Sequence, residues 1–211
     1  MKPSDFLIHF YSILVIVVLF EVFTVFIFLW NFLSVKNIFD SQLLGVIIGG
    51  FIAILSGYLL WIIREIHNIR NISKGFLTEI RNYDDWINQI VPRYQNNTRS
   101  FIFDTTLERP IITDNSLYFI FRRELFKFNA KLIDSLLIFY SHLMTAEENR
   151  KSALYVFKNN PTDIGGGSEY QINMVEALKS AKSQIPDTID QLTGIINRNS
   201  ISLFFYLYLK K

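Results

Sequence analysis

One stretch, Gln42 to Val91, constrains this chain more than any other, because a single apolar pattern crosses it without a break. Gln42 to Ile63 is apolar and uncharged. At about 1.5 Å per residue, such a run is long enough to cross a hydrocarbon layer of ~30 Å. From Arg64 the composition turns polar, yet a stripe persists. Ile62, Ile69, Phe76, Tyr83 and Ile90 recur every seven residues, interleaved with Ile66, Ser73, Ile80, Ile87 and Tyr94. These are the d and a positions of one heptad frame, a coiled-coil-like seam along one side of a helix, with only Ser73 out of character. Pro92 lacks the donor that a helix interior needs, so the helix is expected to stop near Val91. The pattern predicts one helix of roughly 75 Å, half in lipid and half in water.

Upstream, Phe6 to Leu33 is an aromatic-rich apolar run. It is too long for the apolar core of a secretory signal, and Phe28-Leu29-Trp30-Asn31-Phe32-Leu33 offers no small-residue cleavage site. It is expected to remain as a first span. Ser34 to Ser41 is then a short turn, which makes the two spans an antiparallel hairpin. Lys2 precedes the first span and Arg64, Arg70, Lys74 and Arg81 follow the second, whereas the turn carries only Lys36. The positive-inside bias places both termini in the cytoplasm. Trp30 and Trp61 fall near opposite membrane faces, where amphipathic rings anchor.

The expected architecture is therefore all-α. Residues 1–63 form a transmembrane hairpin with spans at about 6–33 and 42–63. Residues 64–211 form a cytoplasmic domain, an antiparallel helical bundle into which the second span continues. Two intramembrane features allow two readings each. Glu21 lies near the middle of the first span, where a carboxylate costs at least ~2.5 kcal/mol and needs a partner, water or a proton. It is either a proton, ion or pore site, or a protonated side chain bonded across helices. Gly45, Gly49, Ala53 and Gly57 stand four residues apart, a face that lets another helix approach closely. That helix is either the chain's own first span or a second copy.

After Pro92 the sequence reads as a long loop, 92–115, with Phe101-Ile102-Phe103 and Ile111-Ile112 tucked into the core. Asp114 to Ser116 can cap a helix carrying Leu117, Ile120, Phe121, Leu125 and Phe128. Arg122 and Arg123, with Lys127 and Lys131, form a basic group that either meets anionic headgroups or a phosphate-bearing ligand, or is a solvated face. Asn129 caps the next helix, Ala130 to about Lys158, whose charged interval Thr145 to Ser152 faces water or interrupts packing. A glycine-rich connector, 159–168, follows. It lacks the lysine and hydroxyl of a P-loop, so flexibility explains its glycines better than phosphate binding does. A last helix spans Glu169 to Asn197, kinked or restarted at Pro186. The apolar tail Ile201 to Leu209 is too short to cross a bilayer and ends in Lys210 and Lys211, which can reach anionic lipid.

Chemistry-bearing constellations are absent from the pattern. His9, His67 and His142 lie on separate elements without ligand spacing, so no metal site is expected. Glu147-Glu148 and Asp84-Asp85 diverge on a helix and cannot act as pairs. With no cysteine there is no thiol nucleophile, and a net charge of +2 is too small to make nucleic acid the main partner. No cofactor or small-molecule ligand is identifiable. One loose likeness exists. Leu77-Thr78-Glu79-Ile80-Arg81-Asn82, then Ser116-Leu117-Tyr118, Leu132-Ile133 and Ile138-Phe139-Tyr140-Ser141-His142-Leu143, resemble a pattern in uncharacterised prokaryotic membrane proteins. Those pair one or two N-terminal spans with a small cytoplasmic helical domain. The resemblance implies an inner-membrane setting and carries over no activity or site.

Three functions remain. The first is a non-enzymatic membrane scaffold or complex subunit that binds a protein partner or itself. The second is an oligomeric effector or gated channel with Glu21 in the pore. The third is a membrane-tethered enzyme with an unrecognised site.

Overall fold

The Gln42–Val91 pattern folds as one helix. A computed structural model describes residues 27, 41–95, 108–160 and 164–208. Every regular element among them is helical. They are α1 (Ser41–Gln95), α2 (Leu117–Phe121), a 3-10 turn (Leu125–Lys127), α3 (Ala130–Asn159), α4 (Ile164–Asn197) and α5 (Ser200–Tyr208). Apart from Ile27, the expected first span lies outside the described residues, as does the Phe101-Ile102-Phe103 piece. The chain divides into two units, Ile69–Arg198 and Met1–Asn68 with Asn199–Leu209.

In the unit that contains the start of α1, Val46, Ile52, Ile54, Leu59, Leu60 and Ile63 are all exposed. Among the described residues, one helix is long and apolar enough to cross a membrane, Ile52–Gln95. Only 11% of its apolar window is buried, whereas the core helix of a water-soluble domain would be mostly covered. Tyr58 and Trp61 stack here at 5.8 Å between ring centroids. Helix α5 belongs to the same unit. It is capped by Asn199, whose side-chain oxygen accepts the Ser202 N–H at 2.7 Å, and it buries Leu203.

In the other unit α1 carries Ile69, Ile72, Ser73, Phe76, Ile80, Ile87, Ile90 and Tyr94, all buried, while Tyr83 is half-buried. Removing the isoleucine and phenylalanine side chains among them from water contributes about 1.5–3 kcal/mol each. Phe76 meets Tyr140 of α3 edge-on at 6.2 Å, and Tyr83 meets Phe139 at 5.9 Å. Gln171, near the start of α4, donates to the Tyr94 carbonyl at 2.8 Å. Arg70 donates to the Arg198 carbonyl, just past the end of α4, at 2.6 Å. Those two bonds make α4 antiparallel to α1. The pairing of Lys131 with Asp187 makes it antiparallel to α3 as well, giving the unit its helical-bundle character.

Three boundaries differ from the sequence reading, each for a physical reason. Helix α1 does not stop at Val91 but runs through Pro92 to Gln95. The proline sits exposed in the last turn, where its missing donor forfeits one bond, and buried Tyr94 with its Gln171 bond holds the turn. The helix expected over Leu117–Phe128 is only Leu117–Phe121, followed by turns bonded from i+3 to i, Lys127 N to Glu124 O and Phe128 N to Leu125 O. Phe128 is extended (φ −85°, ψ 169°) and hands the chain to Asn129, whose side chain accepts the Leu132 N–H at 2.8 Å.

The connector 159–168 is helical from Ile164. A Cβ on Gly167 would lie 2.2 Å from the Phe157 ring, so this glycine serves close approach of α3 and α4 rather than flexibility. At Pro186, the expected place of a kink or a restart, α4 continues without a restart. The proline is exposed, and the Thr188 hydroxyl donates to the Gln184 carbonyl at 2.7 Å in the turn the proline weakens.

Candidate functional site

The segment Glu108–Leu117, between α1 and α2, is where side-chain chemistry concentrates. Two carboxylates from different helices hold it. Glu79 of α1 accepts the Ser116 hydroxyl at 2.6 Å through Oε1 and the Leu117 N–H at 2.9 Å through Oε2. A carboxylate at the first turn of α2 satisfies donors that the helix itself cannot. Glu147 of α3 accepts the Ile111 N–H at 2.9 Å through Oε2. Between these clamps Ile111 and Ile112 are buried, as the sequence suggested.

Glu147 is itself paired. Arg150 donates from Nε to Oε2 at 2.7 Å and from Nη2 to Oε1 at 2.8 Å. Both residues are 5% exposed. Burial alone would push the Glu147 carboxyl upward, but the Arg150 bonds, the Ile111 N–H and the Arg150 and Lys151 charges together hold it below the usual carboxylate range. The interval Thr145 to Ser152 therefore neither faces water throughout nor interrupts packing. Ala146, Glu147 and Arg150 are buried along one face, and only positions such as Glu148 and Lys151 are exposed.

Beside these carboxylates lie four aromatic rings. Tyr140 stacks on Tyr118 at 4.7 Å, and Phe76 meets Phe121 at 6.5 Å. Tyr140 is fully buried, its hydroxyl next to Glu79 and Ser116 without completing a hydrogen bond to either. Burial, then the Glu79 charge, drives its pKa far up. Burial and the Glu79 and Glu147 charges do the same to Tyr83. Neither phenol can serve as a base near neutral pH.

Two open grooves flank Glu79 and Asn82, which line both. One, of about 470 Å³, is bordered by Lys74, Gly75 and Thr78; the other, of about 420 Å³, by Tyr83, Trp86 and Arg109. Both oxygens of Glu79 are already engaged by Ser116 and Leu117. The arrangement fastens a chain segment to a helical frame. Among the described residues, no group of three or more His, Asp or Glu could hold a metal ion.

The residues singled out from sequence fall in different places. Glu21, Lys210 and Lys211 lie outside the described residues. Gly45, Gly49, Ala53 and Gly57 are exposed, and no described atom lies within 4 Å of where a Cβ on any of the three glycines would stand. Ile62 is half-buried and Ile66 buried. Arg122 and Arg123 are exposed, and so are Ile120 and Phe126 on either side of them. Glu79, Arg150 and Tyr140 were not singled out, and Glu147 only beside Glu148, with which it cannot pair. The Glu147/Arg150 spacing of three, between Ala146 and Ala153, was the available signal for a buried pair. No family model, curated protein or solved structure matches the chain.

Proposed function

We propose that this protein is a non-enzymatic, membrane-anchored scaffold whose helical unit binds a protein partner or a second copy of the chain. The observation that carries this reading is the changing character of one helix. Its early turns expose Val46, Ile52, Ile54, Leu59 and Leu60, side chains that lipid would cover, whereas its later turns bury their seam in a helical unit. In the full proposal Phe6 to Leu33 is a first span, the two spans form a hairpin, and both termini lie on the cytoplasmic side of a prokaryotic inner membrane. The exposed row Gly45, Gly49, Ala53 and Gly57 supports association within lipid.

The stoichiometry of the full chain in mild detergent tests this, with co-purifying subunits identified by mass. A defined oligomer or a stable subunit partner is expected. A strictly monomeric chain with no companion, in detergent and after cross-linking in native membranes, would remove the scaffold reading. Gly49→Leu or Ala53→Leu should then lower the oligomer fraction, because a branched side chain separates the backbones.

A further inference from the structure

We propose that the groove between α1 and the Arg109-Pro110-Ile111 segment is a binding site for a small aromatic monocarboxylate, with its ring against Tyr83 and Trp86 and its carboxylate on Arg109. The inference lies wholly within the unit Ile69–Arg198 and needs neither the membrane span nor the scaffold reading. One wall is a single face of α1, where Glu79, Asn82, Tyr83 and Trp86 follow the i, i+3, i+4, i+7 spacing. The other wall is Arg109 and Pro110. The groove holds about 420 Å³, within the ~300–1,000 Å³ of small-molecule sites. Both walls are fixed before any ligand arrives. Glu147 accepts the Ile111 N–H at 2.9 Å, one residue past Pro110, and Tyr83 packs edge-on against Phe139 at 5.9 Å.

Four side chains on these walls have polar groups to spare. Among the described residues, none bonds to the Arg109 guanidinium, the Trp86 indole N–H, the Tyr83 hydroxyl or the Asn82 amide. Burial, then the charges of Glu79 and Glu147, drives the Tyr83 pKa far up, so the phenol remains a donor. An exposed arginine alone would mean little. Here it shares a fixed groove with two rings and three further donors, a set that selects an acceptor of hydrogen bonds on a flat apolar body. One guanidinium matches one negative charge, and its planar fork suits a carboxylate. A dianion is disfavoured by Glu79, which lines the same groove and is already engaged by Ser116 and Leu117.

The test uses the full chain in mild detergent, with 2-naphthoate as the probe and a ligand-observed NMR titration read against empty micelles. Saturable binding is expected, several-fold tighter than that of uncharged 2-naphthamide and of doubly charged 2-naphthyl phosphate. Arg109→Gln should erase the preference for naphthoate over naphthamide. Arg109 is exposed, so this variant should keep the parent's thermal midpoint, which separates loss of binding from loss of fold. Trp86→Leu keeps apolar bulk at a half-buried position and should weaken both ligands several-fold. Signal no greater than that of empty micelles overturns the proposal, and so does equal affinity for naphthoate and naphthamide. A preference that survives Arg109→Gln, or affinities that Trp86→Leu leaves unchanged, would place the ligand elsewhere and overturn it as well. Tighter binding of the phosphate would assign the groove to dianions and refute the monocarboxylate.

Discussion

Arg150 grips Glu147 from one turn along α3, with two hydrogen bonds of 2.7 and 2.8 Å and both side chains nearly inaccessible to water. A buried pair of this kind contributes little net stability over apolar residues of the same shape, because two charges must leave water. Breaking it is another matter. The surviving charge is left in the core, and Glu147 is also the acceptor for the Ile111 N–H. The pair therefore fixes where the connecting segment docks more than it deepens the native well.

Arg150→Met should destabilise the folded chain by about 2–4 kcal/mol, since it leaves the buried Glu147 carboxylate with only the Ile111 N–H and the more distant Lys151. The pH dependence has a definite sign. The folded-state pKa of Glu147 is depressed, so its contribution is fully present above the unfolded value of about 4.3 and is lost as pH falls through the folded value. Denaturant midpoints measured from neutral pH downward should fall in that acid range, and Glu147→Gln should flatten the fall. An unchanged acid limb in Glu147→Gln would show that the carboxyl is not held low.

Gly167 provides a test of helix contact that separates packing from propensity. Replacing a helical glycine by alanine ordinarily stabilises by up to about 1 kcal/mol. Here the new methyl would stand 2.2 Å from the Phe157 ring, so Gly167→Ala should instead lose about 1–3 kcal/mol. Pairing it with Phe157→Leu, which removes the ring, should recover part of that loss in a double-mutant cycle read by thermal melts. A stabilised single variant would mean that α3 and α4 stand farther apart than described.

How much of this was legible from sequence depended on whether a signal was local and periodic. The seam from Ile66 to Tyr94 and the Asn129 and Ser116 caps are short-range patterns, and reading them needed only helical spacing. The places where the reading failed share a cause. Pro92, Gly165 to Gly167 and the Thr145–Ser152 interval carry residues whose local preference is to break a helix or face water. In each, a tertiary contact overrides that preference, Gln171 on Tyr94, Phe157 against Gly167 and Arg150 on Glu147. Gln171 and Tyr94 lie 77 positions apart, a separation at which no pattern in one chain announces a partner. The double clamp of Glu79 and Glu147 on the connecting segment was hidden for the same reason.

Ser73 is the point where seam and structure can be set against each other. It is fully buried, and its hydroxyl has no hydrogen-bond partner. A buried hydroxyl without a partner carries a desolvation penalty of about 1–3 kcal/mol, so removing it should help. Ser73→Ala should raise the unfolding free energy by about 1 kcal/mol, visible as a higher midpoint in far-UV circular dichroism of the chain in mild detergent. Two positions along the same seam, Ile80→Asp introduces the opposite change at a fully buried site. An unpaired carboxylate there costs several kcal/mol against a total of about 5–15, enough to abolish the cooperative transition. Both outcomes should be independent of protein concentration, because the seam packs against α3 and α4 of its own chain. A Ser73→Ala midpoint that drops, or an Ile80→Asp midpoint that does not move, would mean the seam faces something other than the core described. A midpoint that climbs steeply with concentration would place a second copy of α1 against it.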